Sequence, residues 1–420
     1  MSTAIADPET EVQEKIWDEQ ETTCCVVGGG PAGMMLGLLL ARKGVRVTVL
    51  EAHKDFEREF RGDTIHPSVL QVLDEIGLAE RLHELRFTKI YGPTLRAANT
   101  NFNPVDLRTI KTKFPYIMLL PQTKFLEFIA KEARNYPEFR LIMTANVVSL
   151  IEEDGCVRGV TYQGLEGLHQ IRALLTVGGD GRFSKVRHLA GFEPIKTSPP
   201  MDILWFSLPH LPEDTEHVDR VLGGFAMGRV LVVFDRDDYW QIGYVFPKGG
   251  YQQLRAEGLG ALRKSVAQIE PRLTQHVQAL MDWRQCSLLS VESSRCPRWY
   301  KPGLLVIGDA AHVMSPVGGV GINYAIMDAV AASNLLSAPL RSGRVSVSDL
   351  AKVQKKREWP TRVIQFIQSF LQKRVIASAF RARPGAGIPW PVRLLFRLPI
   401  VRNIPARILG IGIGPEHVQD

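Results

Sequence analysis

With 420 residues, 45% of them hydrophobic and 23% charged, the chain is too long for one small core and too apolar for a disordered protein, so two compact units, or one with a subdomain, are expected. The five cysteines, Cys24, Cys25, Cys156, Cys286 and Cys296, are odd in number and lack CxxC spacing, which argues against a disulfide framework or a metal site and fits a reduced, cytoplasmic setting. The net charge of +7 is uneven: residues 341–420 carry fifteen Lys and Arg against four Asp and Glu, a surplus of 11 that leaves the first 340 residues at −4.

Residues 1–21 are acidic and polar, without the basic start and apolar core of a signal peptide, and read as a flexible tail. No apolar run is long enough to suggest a membrane span. Thr23 to Val27 reads as a buried strand that feeds Gly28-Gly29-Gly30-Pro31-Ala32-Gly33. Met34 to Lys43 then reads as an apolar helix stopped by Gly44, and Val45 to Leu50 as a second strand closed by Glu51. The glycines sit at the GxGxxG positions: Gly28 for a tight turn, Gly30 for close approach of a pyrophosphate, Gly33 for packing helix on strand. The helix start offers N–H groups to phosphates, and Glu51, eighteen residues beyond Gly33, suits ribose hydroxyls. A dinucleotide site follows, with Gly28, Gly30, Pro31, Ala32, Gly33 and Glu51 as its residues; the motif alone does not choose between NAD and FAD.

Val177-Gly178-Gly179-Asp180-Gly181 follows another apolar stretch and leads to Ser184 and Arg187 in the pattern DGxxSxxR. Behind Leu304-Leu305-Val306-Ile307 comes GDAAHVMSPVGGVGINYAIMDA, Gly308 to Ala329. With these motifs the chain resembles the FAD-dependent aromatic hydroxylases, the class of flavoprotein monooxygenases similar to para-hydroxybenzoate hydroxylase, over roughly Thr22 to Leu336. The resemblance implies that Asp180 lies near the FAD pyrophosphate and, with Arg187, helps receive NADH or NADPH. It also implies that Gly308 and Asp309 bind the ribityl chain, and that Pro316, Gly319, Gly321, Ile322 and Asn323 run beside the flavin ring. Arg61 and Gln122 stand where the family has further FAD contacts. His312 belongs to the motif but reads better as a packed or capping residue than as a proton shuttle.

The implied fold is α/β: an FAD/NAD(P)-binding Rossmann-like domain of the glutathione reductase and para-hydroxybenzoate hydroxylase type, with an inserted antiparallel β substrate domain and a helical C-terminal segment. The expected division is FAD domain at 22–190 and 285–340, with a smaller substrate-side insertion near 86–115, substrate sheet at 191–284, and a basic helical segment at 341–420. Ile203 to Leu208, Gly228 to Phe234 and Tyr239 to Phe246 read as strands, with Trp205, Phe225, Met227, Trp240 and Tyr244 as candidate pocket walls.

The implied activity is hydroxylation of an aromatic or polycyclic hydrophobic compound by a single-component enzyme, with NAD(P)H and O2, through a flavin C4a-hydroperoxide; no catalytic nucleophile or metal is called for. Three rivals stand beside it. A halogenase would carry WxWxIP, whereas the nearest segment is Tyr239-Trp240-Gln241-Ile242-Gly243-Tyr244. A reductase or dehydrogenase of isoprenoid or quinone type shares the FAD fold. A non-catalytic flavin-binding protein on a membrane surface draws on Pro389 to Ile411, where apolar runs alternate with arginines; packing over the FAD domain is the favoured reading of that segment. Charge without a recognition module does not support nucleic-acid binding.

Overall fold

A computed structural model describes residues 16–57, 63–97, 100–214, 221–226, 228–236, 238–376 and 399–419. Its centre is a parallel sheet in which the Ile16–Val27 strand lies between Leu168–Gly178 and Val47–Leu50. Leu304–Val306 extends the sheet beyond Leu168–Gly178, and Phe139–Ile142 extends it beyond Val47–Leu50, both in parallel. The inner strand ends are fully buried, Cys24, Cys25 and Val26 among them, which is why they read as unbroken apolar runs rather than alternating ones. The Pro31–Arg42 and Gly321–Arg341 helices pack on this sheet and on each other. The α/β class is as expected.

One boundary differs. The first strand begins at Ile16, inside the expected tail, and pairs with Leu168 onward. Its outer half is acidic because it is an exposed ladder: Glu19 accepts from Arg172 at 2.5 Å, and Asp18 bonds to His169. Alternation and cross-strand charge pairs stabilise such a segment although its composition suggests a solvated tail.

The second sheet is the expected antiparallel layer. Met201–Pro209 pairs with Tyr239–Pro247, which pairs with Arg229–Asp235 and so with Val221–Ala226. It reaches beyond 191–284 at both edges, taking Ser287–Leu289 on one side and Thr94–Ala97 with Thr100–Phe102 on the other. Strand alternation gives it two faces. Leu204, Phe206, Leu231, Val233, Ile242, Tyr244 and Phe246 pack on the Tyr251–Glu257 and Leu259–Ile269 helices. Ile203, Trp205, Val230, Val232 and Val245 pack on the other face, together with Val317 from the third motif.

The C-terminal region is helical, Val347–Leu371 and Pro399–Gly410, and residues 403–419 are fastened to the first domain. His66 Nδ1 donates to the Leu409 carbonyl at 2.6 Å, Ile413 N–H donates to the Tyr324 hydroxyl at 3.3 Å, and Val418 N–H donates to Glu75 at 2.9 Å. The described part of Pro389 to Ile411 therefore packs over the domain. Among the described residues no helix is long and apolar enough to cross a membrane, no cluster of side chains is arranged to hold a metal ion, and all five cysteines are free.

His66 is fully enclosed, and burial pushes its imidazole down to about 4. Its folded pKa lies below the ordinary value near 6.5, so its contribution is complete above that pH and is lost as pH falls toward 4. Urea unfolding at pH 7.5 and 5 should show a loss of about 2 kcal/mol in the native protein that His66→Gln lacks. Parallel pH profiles for the two proteins would refute the assignment.

Candidate functional site

The three glycine-rich motifs meet at the carboxyl ends of neighbouring parallel strands, the place where open α/β sheets bind ligands. Gly179 N–H donates to the Val27 carbonyl at 2.7 Å, and Ile307 N–H donates to Gly178 at 2.9 Å. Arg187 joins the second motif to the third, its guanidinium donating to the Ala310 carbonyl at 3.1 Å and the Asp309 carbonyl at 3.4 Å.

The glycines do different work. Gly28 has φ +106°, and a Cβ there would lie 2.6 Å from the Asp180 Cα and the Gly179 carbonyl. A side chain at Gly33 would collide with the Gly28 carbonyl, and one at Gly308 would press on Ala32 and Ala325 at 3.1 Å. Protein packing alone accounts for those three. A Cβ at Gly30 or Gly321, by contrast, would meet nothing nearer than 4.0 Å, so the fold itself does not require glycine at either place. Both positions open a helix. The Pro31–Arg42 helix has no side-chain cap and no acid in its first turn, and neither has the Gly321–Arg341 helix. Their first-turn N–H groups, at Ala32 and Gly33 and at Ile322 and Asn323, have no partner within the helix and favour negative charge. Unfilled room beside two uncapped helix starts fits a long, anionic, planar cofactor.

Around this cleft Glu51 is nearly buried, accepting from Gly29 N–H at 2.9 Å and from His53 N–H at 3.0 Å. Pro31 starts the first helix, and Pro316 precedes the Val317–Gly319 turn. The Gly319 carbonyl accepts from the Thr64 hydroxyl at 2.9 Å, while Asn323 Oδ1 accepts from His66 N–H at 3.0 Å. Ile322 is half-buried against the main core, and Asp309 is half-buried at the cleft. Gln122 begins a helix, and its N–H donates to Asp63 at 3.0 Å. Arg61 and Met227 lie outside the described residues.

Asp180 is turned toward its own loop. It accepts from the Ser184 hydroxyl and, at 3.0 Å, from Val186 N–H, capping the short Lys185–Leu189 helix, and burial raises its pKa despite these bonds. Asp180 and Arg187 are thus both occupied inside the protein. As the ribityl contact that the resemblance implies, Asp309 should on substitution by Ala raise the FAD dissociation constant about ten- to a hundredfold, the range expected for a charged hydrogen bond. Asp180→Ala should chiefly lower stability, by about 1–3 kcal/mol. Equal FAD titrations for the two variants would contradict this.

His312 is buried and its Nε2 bonds to Asp328 Oδ2 at 2.6 Å, consistent with a packed histidine. The same carboxylate accepts from Gly308 N–H and from Arg357 Nε, each at 3.0 Å. In the sequence Asp328 stands out only as part of the third motif, and nothing marks Arg357. A lone acid in an otherwise apolar helix face was the available signal for the first.

The pocket candidates divide between the two sheet faces. Trp205 lies on the motif-facing side, its six-membered ring beside Gly243, where a Cβ would stand 2.9 Å from it. Phe234 is 6.2 Å from it between ring centroids. Tyr244 and Trp240 are corrections. Both fall on the opposite face by strand alternation, Tyr244 bonded to Ser265 at 2.8 Å and Trp240 donating to Asp214 at 3.2 Å. Phe225 pairs with Val230 in the ladder; its side chain lies outside the described set. Val232 and Phe234 are the apolar residues that sequence reading missed. A buried link also ties the sheet to the first domain: Arg236 bonds to Asp63, the residue that accepts from Gln122.

Residues 21–366 match the family model described as the FAD binding domain. The 6-methylpretetramide 4-monooxygenase of Streptomyces rimosus is 34% identical over 395 residues, which cover 93% of each chain. The para-nitrophenol 4-monooxygenase of Pseudomonas sp. strain WBC-3 is 26% identical over 333 residues, 76% of this chain and 78% of the relative. Among solved structures, the OxyS anhydrotetracycline hydroxylase of Streptomyces rimosus superposes with a TM-score of 0.71 at 21% identity, covering 94% of this chain and 77% of that one.

Proposed function

Since the chain belongs to the FAD-dependent aromatic hydroxylase family, we propose that its substrate is a fused-ring aromatic compound held against the Trp205 face of the antiparallel sheet. The protein is a flavoprotein monooxygenase that hydroxylates an aromatic substrate with O2 and a nicotinamide reductant. Bound FAD supplies hydride acceptance and oxygen transfer, and the chain supplies binding, orientation and exclusion of water.

In this reading Gly30, Pro31 and the N–H groups of Ala32 and Gly33 receive the pyrophosphate, and Glu51 receives the adenosine ribose. Gly28 and Gly33 shape the turn. Asp309, presented by Gly308, accepts from the ribityl hydroxyls. Pro316, Gly319, Gly321, Ile322 and Asn323 border the ring system, and the helix start there favours the negative charge of a reduced flavin. Asp180 and Arg187 position the loops they bond, and Gln122 sits at the sheet-facing rim with Asp63. The first domain is the FAD layer and the antiparallel sheet, with its strands from 94–102 and 287–289, is the substrate layer. The reaction takes place in the cytoplasm, the compartment that suits five free thiols.

The observation that carries the substrate assignment is the Trp205 ring beside Gly243. A missing side chain on the inner Tyr239–Pro247 strand makes an apolar shelf with Val232 and Phe234, suited to a broad planar ring system. The Streptomyces relative that acts on 6-methylpretetramide supports the same reading. The test is NAD(P)H oxidation by the flavin-loaded protein with fused-ring and single-ring phenols, with the products analysed for an added oxygen. Fused-ring phenols should be hydroxylated, and Trp205→Ala should raise their KM about tenfold, as loss of an aromatic contact of 1.4 kcal/mol would. Reductant consumption that adds no oxygen to any of them would favour a reductase instead.

A further inference from the structure

We infer that the exposed face of the Val347–Leu371 helix is a docking surface for an anionic lipid bilayer. Trp359, Phe366 and Phe370 on this helix are 63%, 71% and 55% exposed. Their spacing of seven and four residues puts them in one line along the helix, over about 16 Å. The opposite side is the one that packs on the protein, burying Leu350, Val353, Arg357, Thr361, Ile364 and Gln368. Large aromatic groups in contiguous exposure mark an interaction surface rather than ordinary surface scatter.

The charge around the stripe selects the partner. Lys355 and Arg362 are exposed and, at about 100° per residue, fall within roughly 60° of the aromatic line, and Lys373, also exposed, follows in the π-helical turn Gln372–Ile376. From Trp359 to Pro415 the sequence has no Asp or Glu and nine Lys and Arg. Glu358, the nearest acid on the helix, is half-buried, accepts from Gln354 at 3.1 Å and lies 4.0 Å from the Arg362 guanidinium, so it offsets part of one of these charges. Aromatic rings between flanking cations match the headgroup layer of a bilayer, where rings sit at the interface and cations meet anionic lipid.

A second copy of the chain is the poorer occupant, because symmetric pairing over this face would set Lys355, Arg362 and Lys373 against like charges. The helix lies on the surface and does not span, since none of the described helices is long and apolar enough to cross. The membrane contact that the rival reading drew from Pro389 to Ile411 is thereby assigned to another element, as the described part of that segment is fastened to the protein. The inference is independent of the substrate proposed above.

The full-length flavin-loaded protein is floated with vesicles of phosphatidylcholine alone and with about one third phosphatidylglycerol, at low and high salt. Association with the anionic vesicles is expected, at least about tenfold stronger than with the neutral ones and weakened by salt. The triple variant Trp359→Ser, Phe366→Ser, Phe370→Ser should lose at least about tenfold of that association while keeping native flavin absorbance and turnover. Failure of the native protein to float with anionic vesicles would overturn the inference, as would equal flotation of the triple variant. A dimer in light scattering that the triple variant dissociates, with no flotation, would assign the face to a second copy and would overturn it too.

Discussion

Gly28→Ala is expected to lose several kcal/mol of stability and much of its soluble yield, whereas Gly30→Ala, two residues on, is expected to fold normally and to lose FAD. At Gly28 the backbone has φ +106°, and the added Cβ would stand 2.6 Å from Asp180 Cα and the Gly179 carbonyl. Those atoms are main chain and belong to the strand exit that forms the second motif, so they cannot step aside as a side-chain tip would. The left-handed conformation costs about 1–2 kcal/mol for an L-residue and overpacking adds about 1–3 kcal/mol, against a total stability of about 5–15 kcal/mol. At Gly30 the backbone is extended, with φ −76° and ψ −177°, and the nearest atom to a new Cβ is 4.0 Å away. A methyl group there strains nothing in the protein and stands in the space proposed for the pyrophosphate. The measurements are soluble yield, thermal unfolding without flavin, and FAD titration. Gly30→Ala should melt within a few degrees of the native chain and bind FAD at least about tenfold more weakly. Native FAD affinity in Gly30→Ala would mean that this room is not the cofactor's.

The comparison of these two glycines shows what the sequence carries and what it leaves out. GxGxxG names three positions, and the turn, helix and strand around them were all legible because local pattern and long-range packing agree there. The assignment of purpose was legible only in part. Gly30 meets no protein atom that demands glycine, in line with the ligand role proposed for it, whereas Gly28 is dictated by Asp180, a residue 152 positions away, which is a contact that no local pattern encodes. Asp180 itself matched a motif and yet caps its own helix through Ser184 and Val186. Motif position predicted its neighbourhood and not the direction of its carboxylate.

The substrate layer was read with the same split. β-branched and aromatic composition marks three of the strands to within a residue or two and alternation implies two faces, but sequence does not label which face meets the cleft. That depends on where the Leu259–Ile269 helix folds back, and it folds onto the side of Ile242 and Tyr244. Trp240 and Tyr244 therefore became core and hydrogen-bonding residues, while Val232 and Phe234 took the open side with Trp205. Ile16 to Glu21 failed for a related reason: an acidic exposed strand has the composition of a tail, and only its partners Arg172 and His169 reveal the ladder.

Arg357→Met should destabilise the protein by about 3–5 kcal/mol, the loss typical of removing one partner from a buried ion pair. Arg357 and Asp328 are essentially inaccessible to water, joined at 3.0 Å, with His312 on the other carboxylate oxygen at 2.6 Å. Burial by itself would raise the Asp328 pKa, but His312 and Arg357 outweigh it and hold the carboxyl below its usual range. The folded pKa is thus depressed, so the group's contribution is present above about pH 4 and is lost as pH falls further. Without Arg357 the balance shifts toward burial, and the acid limb of the stability curve should move to higher pH. The consequence extends to both ends of the site. Asp328 also accepts from Gly308 N–H, and Arg357 also donates to the Gly414 carbonyl at 2.8 Å, so one cluster holds the third motif and the C-terminal strap together. Asp328→Asn, which keeps an acceptor for Gly308, should cost less than Asp328→Ala and retain more FAD. Urea unfolding at pH 7 and pH 5, with FAD titration on each variant, reads these effects. A loss below about 1 kcal/mol for Arg357→Met would be the size of a surface pair and would show that the cluster does not hold the two segments.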